Sequence, residues 1–357
     1  MRRIDGPFRR WRLFESQFWI RLVALSDSER TPSPRYRRAV DKLSRVTRDI
    51  NEPVLLFAGP SGSSDERAGH LFAQAFDSAE VLPLRSLEQV VSTVDSTIGC
   101  LGIVPLEDSL HGEFTQAVAR LLFSTSNTCI TRTLVLTEKL CVQTLDASKP
   151  PMAAHSHSAI LERFAPVLEE LGIVGISAPN TTEACRIVAA QGNPLHIAIA
   201  PDVVASQFSL VHHQLMASEA VNVTTRYGLL GRGIPEPLEG VETLALVCPL
   251  EDKVGTLARI MDVFRLNGVN LVSLRSINVG ARNPHMFLVE LTGHPMEDSV
   301  AAAVVELFKH EVFIKIVGVC TPASLAIEDH LVREVPAILT NVGEYQSWID
   351  KHSAGES

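Results

Sequence analysis

The chain has 357 residues, 46% of them hydrophobic and 20% charged, with a net charge of −9. At roughly 100–200 residues per domain this is two or three domains with real cores, which excludes a collagen-like, low-complexity or largely disordered chain. Residues 1–50 carry 13 Arg/Lys against 6 Asp/Glu, leaving −16 on the other 307 residues, a balance that argues against nucleic acid as a partner.

Residues 1–52 read as a basic N-terminal extension. Trp11, Phe14, Phe18 and Trp19 lie close together there, but Arg9, Arg10, Arg12 and Arg21 interrupt any apolar core of a secretory signal. Tyr36–Asp49 reads as one short helix leading into the first domain. From Pro53 the texture becomes apolar runs alternating with helical periodicity. Val54–Phe57 reads as a buried strand, Glu66–Phe76 as a helix and Leu101–Val104 as a second strand. Phe114, Val118, Leu121 and Leu122 then form a helical stripe. Ile160, Leu161, Phe164, Leu168 and Leu171 form another, ended by Gly172 and either kinked or begun by Pro166. Strands at Ile173–Ser177 and Leu195–Ala200 follow. Alternating strands and helices predict an α/β domain over 53–232 with a largely parallel sheet.

Gly233–Gly240 is a Pro/Gly linker. Beyond it Val241–Cys248, a helix with Leu257, Ile260, Met261 and Phe264 on one face, Val269–Ile277, His285–Leu291, Met296–Lys309 and Val312–Val319 give β-α-β-β-α-β. That is a ferredoxin-like unit over 241–321, with 322–357 as a tail. No apolar run approaches the roughly 18 residues of a membrane-spanning helix, so no membrane partner is expected. The six cysteines are scattered without a C-x-x-C pair, as expected of reduced thiols in a cytoplasmic protein. His155/His157 and His212/His213 lack the carboxylate or thiol that would complete a ligand set, and neither metal nor cofactor is expected.

Several polar clusters sit at strand ends, where open α/β sheets bind ligands. Gly59-Pro-Ser-Gly-Ser-Ser64 follows the first strand and precedes a helix, but lacks the Gly-Lys-Ser/Thr of a phosphate loop. A tight turn explains it equally well. Pro105-Leu-Glu-Asp-Ser-Leu-His-Gly112 joins a strand to a helix, and its Asp108 or Ser109 serves equally as an N-cap. Ser156-His157 and Asn180-Thr-Thr-Glu183 are open to the same two readings. In Asn222-Val-Thr-Thr-Arg-Tyr-Gly228, a hydroxyl beside an arginine suits carboxylate binding, and the segment is equally a good strand former.

In order, these clusters resemble the prephenate dehydratase family with a C-terminal ACT regulatory domain, over roughly residues 53–320. Gly59-Pro-Ser-Gly62 stands for the family's G-P-x-G, and Val104-Pro-Leu-Glu-Asp-Ser109 for V-P-I-E-N-S. Ser156-His157 begins S-H-P-Q, Asn180-Thr-Thr-Glu-Ala184 matches S-T-x-E-A, and Thr225-Arg226-Tyr227 stands for T-R-F. Gly255-Thr-Leu257 and Gly268-Val-Asn-Leu271 match the G-A-L and G-I-N-L of the ACT unit, with Arg275-Ser276 at the place of E-S in E-S-R-P. The resemblance implies a two-lobed fold like that of periplasmic binding proteins plus the ACT unit, and a decarboxylative dehydration of prephenate to phenylpyruvate. It implies Thr225 as proton donor and Arg226 as carboxylate holder. Ser61, Gly62, Ser63, Glu107, Asp108, Ser109, Gly112, Ser156, His157, Thr181 and Asn222 would bind substrate. Gly255, Thr256, Leu257, Asn270, Leu271, Arg275 and Ser276 would bind an amino-acid effector, and a homodimer or homotetramer would form through the ACT edge. The first 52 residues are too short for the chorismate mutase sometimes fused to this family.

The departures are specific. Asp108 replaces an Asn, Ser158-Ala159 replace P-Q, Thr131-Arg132 stand for G-E, and Tyr227 replaces Phe, with Thr224 leaving the register open by one residue. Arg275-Ser-Ile-Asn278 replaces the stretch tied to phenylalanine binding. The alternative to a dehydratase is a paralogue retuned to an analogue of prephenate or to decarboxylation alone, or a non-catalytic ligand sensor.

Overall fold

In the computed structural model, described for residues 53–76, 78–109, 116–125, 128–213, 222–235, 240–249, 253–277, 286–320 and 332–333, the first strand is β1 (Val54–Ala58). The expected extension over 1–52 and nearly all of the tail after 321 lie outside the described residues. β1 runs parallel to β2 (Glu80–Leu84) and β3 (Cys100–Asp108). Helix α1 (Ser64–Ala73) and helix α2 (Leu87–Ser96) connect them. β1 is apolar at every position because both its faces are covered. Leu55 and Phe57 pack towards α1, while Val54 and Leu56 pack towards α2 and helix α3 (Gln116–Ser124).

Two long strands complete this lobe. β4 (Thr128–Thr144) pairs through Thr128–Lys139 with a late strand and through Leu140–Thr144 with the second lobe. At roughly 3.3 Å per residue, its 17 residues reach from one lobe into the other. The second lobe is a small parallel sheet of β5 (Ala153–Ser156), β6 (Val174–Ser177) and β7 (His196–Pro201), with β8 (Val211–His212) added on β4. Helices α4 (Ser158–Glu170) and α5 (Thr181–Gln191) cover it; Pro166 lies inside α4, so it does not mark the helix start. The chain then returns as β9 (Asn222–Arg232), antiparallel between β3 and β4. β2, α2 and the length of β4 do not follow from the periodicity of the sequence.

After β10 (Ile234–Pro235), the C-terminal unit is β11 (Glu242–Pro249), α6 (Thr256–Leu266), β12 (Leu271–Ile277), β13 (Met286–Thr292), α7 (Asp298–Lys309) and β14 (Val312–Cys320). Its strands lie in the order β12-β13-β11-β14, antiparallel throughout. One face buries α6 and α7 around Phe264 and Leu307. The other face, with Leu244, Leu246, Met286, Leu288 and Val317, shares a core with Leu106, Leu122, Ile130 and Leu230 of the first lobe. β14 also joins the main sheet beside β4 at the Gly318–Ile130 pair. A Cβ on Gly318 would stand 3.2 Å from Ile130 Cβ and 3.1 Å from Leu244 Cδ1, so the missing side chain permits this approach. The two units thus share one sheet and one apolar core.

Candidate functional site

Strand alternation sorts the residues of β9. The Tyr227 hydroxyl donates to Asp65 Oδ1 at 3.1 Å, in the first turn of α1, which sets that face of the sheet. Thr225, two residues back, shares the face with Tyr227 and lies in register with Asp108 of β3 and Leu136 of β4. Thr224 points the other way, its hydroxyl 3.1 Å from that of Thr137. Thr224 and Thr225 therefore lie on opposite faces of β9, with Thr225 on the face that meets α1.

The loop after β1 approaches this face from the end of the strand. Ser63 caps α1 by accepting from the Glu66 amide at 3.4 Å, and the Gly62 amide donates to the Glu66 carboxylate, close to a capping box. Gly62 has φ +87°, and a Cβ there would fall 2.0 Å from Gln207 Oε1. Gln207 belongs to a single turn of the second lobe, so the two lobes meet over the glycine. Ser61 is half-buried in the same loop. Ser109 holds the far end: its amide donates to the Thr224 carbonyl at 2.8 Å, and its hydroxyl accepts from the Thr224 amide at 3.0 Å.

Other expected residues go elsewhere. Ser156 is fully buried and donates to the Ile199 carbonyl at 2.7 Å, which makes it a strut of the second lobe. His157 precedes α4 without a side-chain cap, and Thr181 opens α5 behind the capping Asn180. Asn222 is exposed at the start of β9, opposite Lys139, and Gly112 lies outside the described residues. Glu107 and Arg226, expected to bind substrate and to hold its carboxylate, alternate onto the opposite face of the sheet. There Arg226 Nη2 lies 2.7 Å from Glu290 Oε1, and Glu107 Oε2 lies 2.8 Å from Arg275 Nη2, both partners belonging to the C-terminal unit. Each guanidinium is already matched to a carboxylate, so the expected holding of substrate by Arg226 does not follow from its position.

The Thr225 face is acidic. Glu138 is 7% exposed and accepts from Arg67 Nη1 at 3.1 Å, and sequence reading offered no signal for either residue. Asp65 is half-buried as a residue, but its carboxyl turns inward; burial pushes it up to about 6, the Tyr227 hydrogen bond opposes this, and the Glu138 charge adds to it. Burial and then the Asp65 charge push the Tyr227 phenol well above its ordinary range, so Tyr227 is a neutral donor. Ionising Asp65 therefore costs the folded state: its contribution to stability is fully present below about pH 4 and is lost as pH rises through about 6. Asp65→Asn is expected to come close to the parent near pH 4 and to exceed it by about 3 kcal/mol above pH 7. Urea unfolding at the two pH values checks this; a variant less stable at pH 7 would contradict it.

Among the described residues no group of three or more His, Cys, Asp or Glu is placed to hold a metal, and no helix is long and apolar enough to cross a membrane. The prephenate dehydratase family model matches residues 55–234. The chain is 24% identical over 245 residues to a bifunctional chorismate mutase/prephenate dehydratase of Aquifex aeolicus, covering 68% of this chain and 66% of that protein. It therefore spans about two thirds of that relative's length. It is 25% identical over 296 residues to arogenate dehydratase/prephenate dehydratase 1, chloroplastic, of Arabidopsis thaliana, covering 78% and 74%. Among solved structures, a prephenate dehydratase of Arthrobacter aurescens in complex with L-Phe superposes with TM-score 0.63 at 19% identity, over 85% of this chain and all of that one. GqqA, described as a quorum quenching acylase, superposes with TM-score 0.60 at 22% identity, over 76% and 98%. At these identities the superpositions establish a common fold.

Proposed function

The chain belongs to the prephenate dehydratase family, and from that premise we propose that it converts prephenate to phenylpyruvate, with Thr225 beside the leaving hydroxyl. The carrying observation is that Thr225 faces the Gly59–Ser63 loop side of the sheet, in register with Asp108. Loss of the carboxylate as CO₂ supplies the electron pair that expels hydroxide and completes the aromatic ring. The protein has only to orient the substrate and stabilise the departing oxygen. The Thr225 hydroxyl does so by a hydrogen bond that strengthens as negative charge develops there, and water leaves once a proton is taken up. Ser61, Gly62 and Ser63 line the approach.

One observation favours a second reading. Asp108, in register with Thr225 where the family has an Asn, suits a substrate that carries an ammonium group, such as arogenate, the amino analogue of prephenate. Purified protein given each compound, with products separated by mass, tests both readings. Phenylpyruvate from prephenate supports the first, and phenylalanine from arogenate in preference to it supports the second. A decarboxylated product that keeps its hydroxyl, or no turnover of either, overturns them in favour of a retuned decarboxylase or a ligand sensor.

We read the C-terminal unit as the ACT domain, with a second copy of the chain pairing on β12. This strand is the sheet edge, and Val272 and Leu274 are exposed on it; Val254 and Leu257, of the turn and first helical residues of α6, are exposed too. By its resemblance to the family, an amino-acid effector would bind at Gly255, Thr256, Leu257, Asn270, Leu271 and Ser276. Leu274→Lys is expected to reduce a dimer to a monomer in light scattering; an unchanged mass would rule this edge out.

A further inference from the structure

Each strand residue proposed for the reaction has a charged neighbour on the opposite face. Glu107 and Arg226 pair across β3 and β9 immediately beside the Asp108–Thr225 pair. The β3–β9 register shifts between Pro105 and Glu107, so this end of the ladder carries a bulge, a feature that re-aims side chains. Four charges close over it. Arg226 lies 2.7 Å from Glu290 and 3.8 Å from Glu107, Arg275 lies 2.8 Å from Glu107, and the Ser273 hydroxyl donates to Glu290 at 3.2 Å. Glu290 and Arg226 expose 9% and 19% of their side chains, so the pairing is shielded more than a surface salt bridge. Glu242 also faces Glu290, and its carboxyl is raised by burial and by that neighbour.

We infer that Arg275 and Glu290 of the C-terminal unit are positioning residues, which through Glu107 and Arg226 fix the bulged strand pair that aims Asp108 and Thr225. Arg275 stands on the edge strand β12, between the outward-facing Leu274 and Ser276, so the edge and the reaction centre are one ion pair apart. The C-terminal unit is in this way a fixed part of the site's support, besides any role in ligand binding. The inference rests on the reading of Thr225 given above.

The test separates the two. Amide hydrogen exchange at Ser109 and Thr224 reports the strand pairing whether or not any substrate turns over. Arg275→Gln is expected to speed exchange at these amides by about tenfold and to lower kcat on prephenate by about tenfold, with KM within about twofold. Arg275→Lys is expected to restore both to within about threefold. Arg275→Gln already breaks the Arg275–Glu107 pair, so Arg275→Gln/Glu107→Gln should exchange and turn over within about threefold of Arg275→Gln alone. Unchanged exchange in Arg275→Gln, or losses that multiply in the double variant, would overturn the positioning role. Altered exchange in a protein that turns over neither prephenate nor arogenate would keep the positioning role and remove only the proposed reaction.

Discussion

Thr225→Val is expected to lower turnover of prephenate by about 10²–10⁴-fold, the range lost when a positioned hydrogen-bond or proton donor is removed. Valine keeps the shape and the β-branched preference for a strand, so β9 should form as before. The residue is half-buried, and its side chain packs in register with Leu136 and Asp108, so the cost in stability should stay near 1 kcal/mol. Thr225→Ser, which keeps the hydroxyl, should retain most of the rate. Thr224→Val supplies the control: its hydroxyl lies on the opposite face against Thr137, and its loss should change turnover by less than about threefold. Steady-state kinetics with circular dichroism checks all three. Equal losses in Thr224→Val and Thr225→Val would refute the assignment of faces.

The second large effect concerns folding. Lys315 lies in the middle of β14, 1% exposed, where its ammonium meets the end of α3. It donates to the Phe123 carbonyl at 3.1 Å, to the Thr125 carbonyl at 2.5 Å and to the Thr125 hydroxyl at 3.2 Å, and it also meets the Leu122 carbonyl. The last carbonyls of a helix have no partner within it, and the helix dipole favours a cation there. Here the cation comes from the C-terminal unit, so a single residue both caps α3 and ties the two units together. Lys315→Met keeps the aliphatic stem and removes the donor, leaving carbonyls buried without their partner. We expect a loss of about 3 kcal/mol, measured by urea unfolding. Lys309→Met removes an exposed pair with Glu306, 2.8 Å apart, and should cost less than about 0.5 kcal/mol. A small effect at Lys315 would mean that the shared apolar core alone joins the units.

Periodicity and turn residues carried much of the secondary structure. The apolar runs at Val54–Phe57 and Leu195–Ala200 correspond to β1 and β7, and the stripe from Ile160 to Leu168 corresponds to α4. β2 was missed because Glu80-Val-Leu-Pro-Leu84 contains a proline and only a short apolar pattern. α2 is short, and its stripe of Val90, Val91 and Val94, which the structure buries, is set among β-branched residues that suit a strand as well. The C-terminal boundaries shifted by one or two residues, as expected where helix and strand ends are set by caps and pairing.

The candidate site divides along the same line. Motif order alone pointed to the Gly59–Ser63 loop, Asp108, Ser109 and Thr225, because turn glycines and strand-end polar residues are local features. Two things depended on long-range packing. One is the face each β9 residue takes: a period of two leaves Thr224 and Thr225 equivalent until Tyr227 meets Asp65. The other is where charges end. Arg226 and Glu107 read as substrate ligands because an arginine and a carboxylate at strand ends suit that chemistry. Their partners, Glu290 and Arg275, lie far along the chain, and only the sheet order brings them together.

By itself, then, the sequence determined the α/β alternation, the βαββαβ order and the identity of the polar clusters, all of which follow from spacing within a few residues. The fold settles that the units share one sheet and one core, which residues of β3 and β9 share a face, and which charges pair across strands. Those outcomes turn on register and on pairing between distant strands. A shift of one residue there reverses every side chain, and no local pattern encodes it.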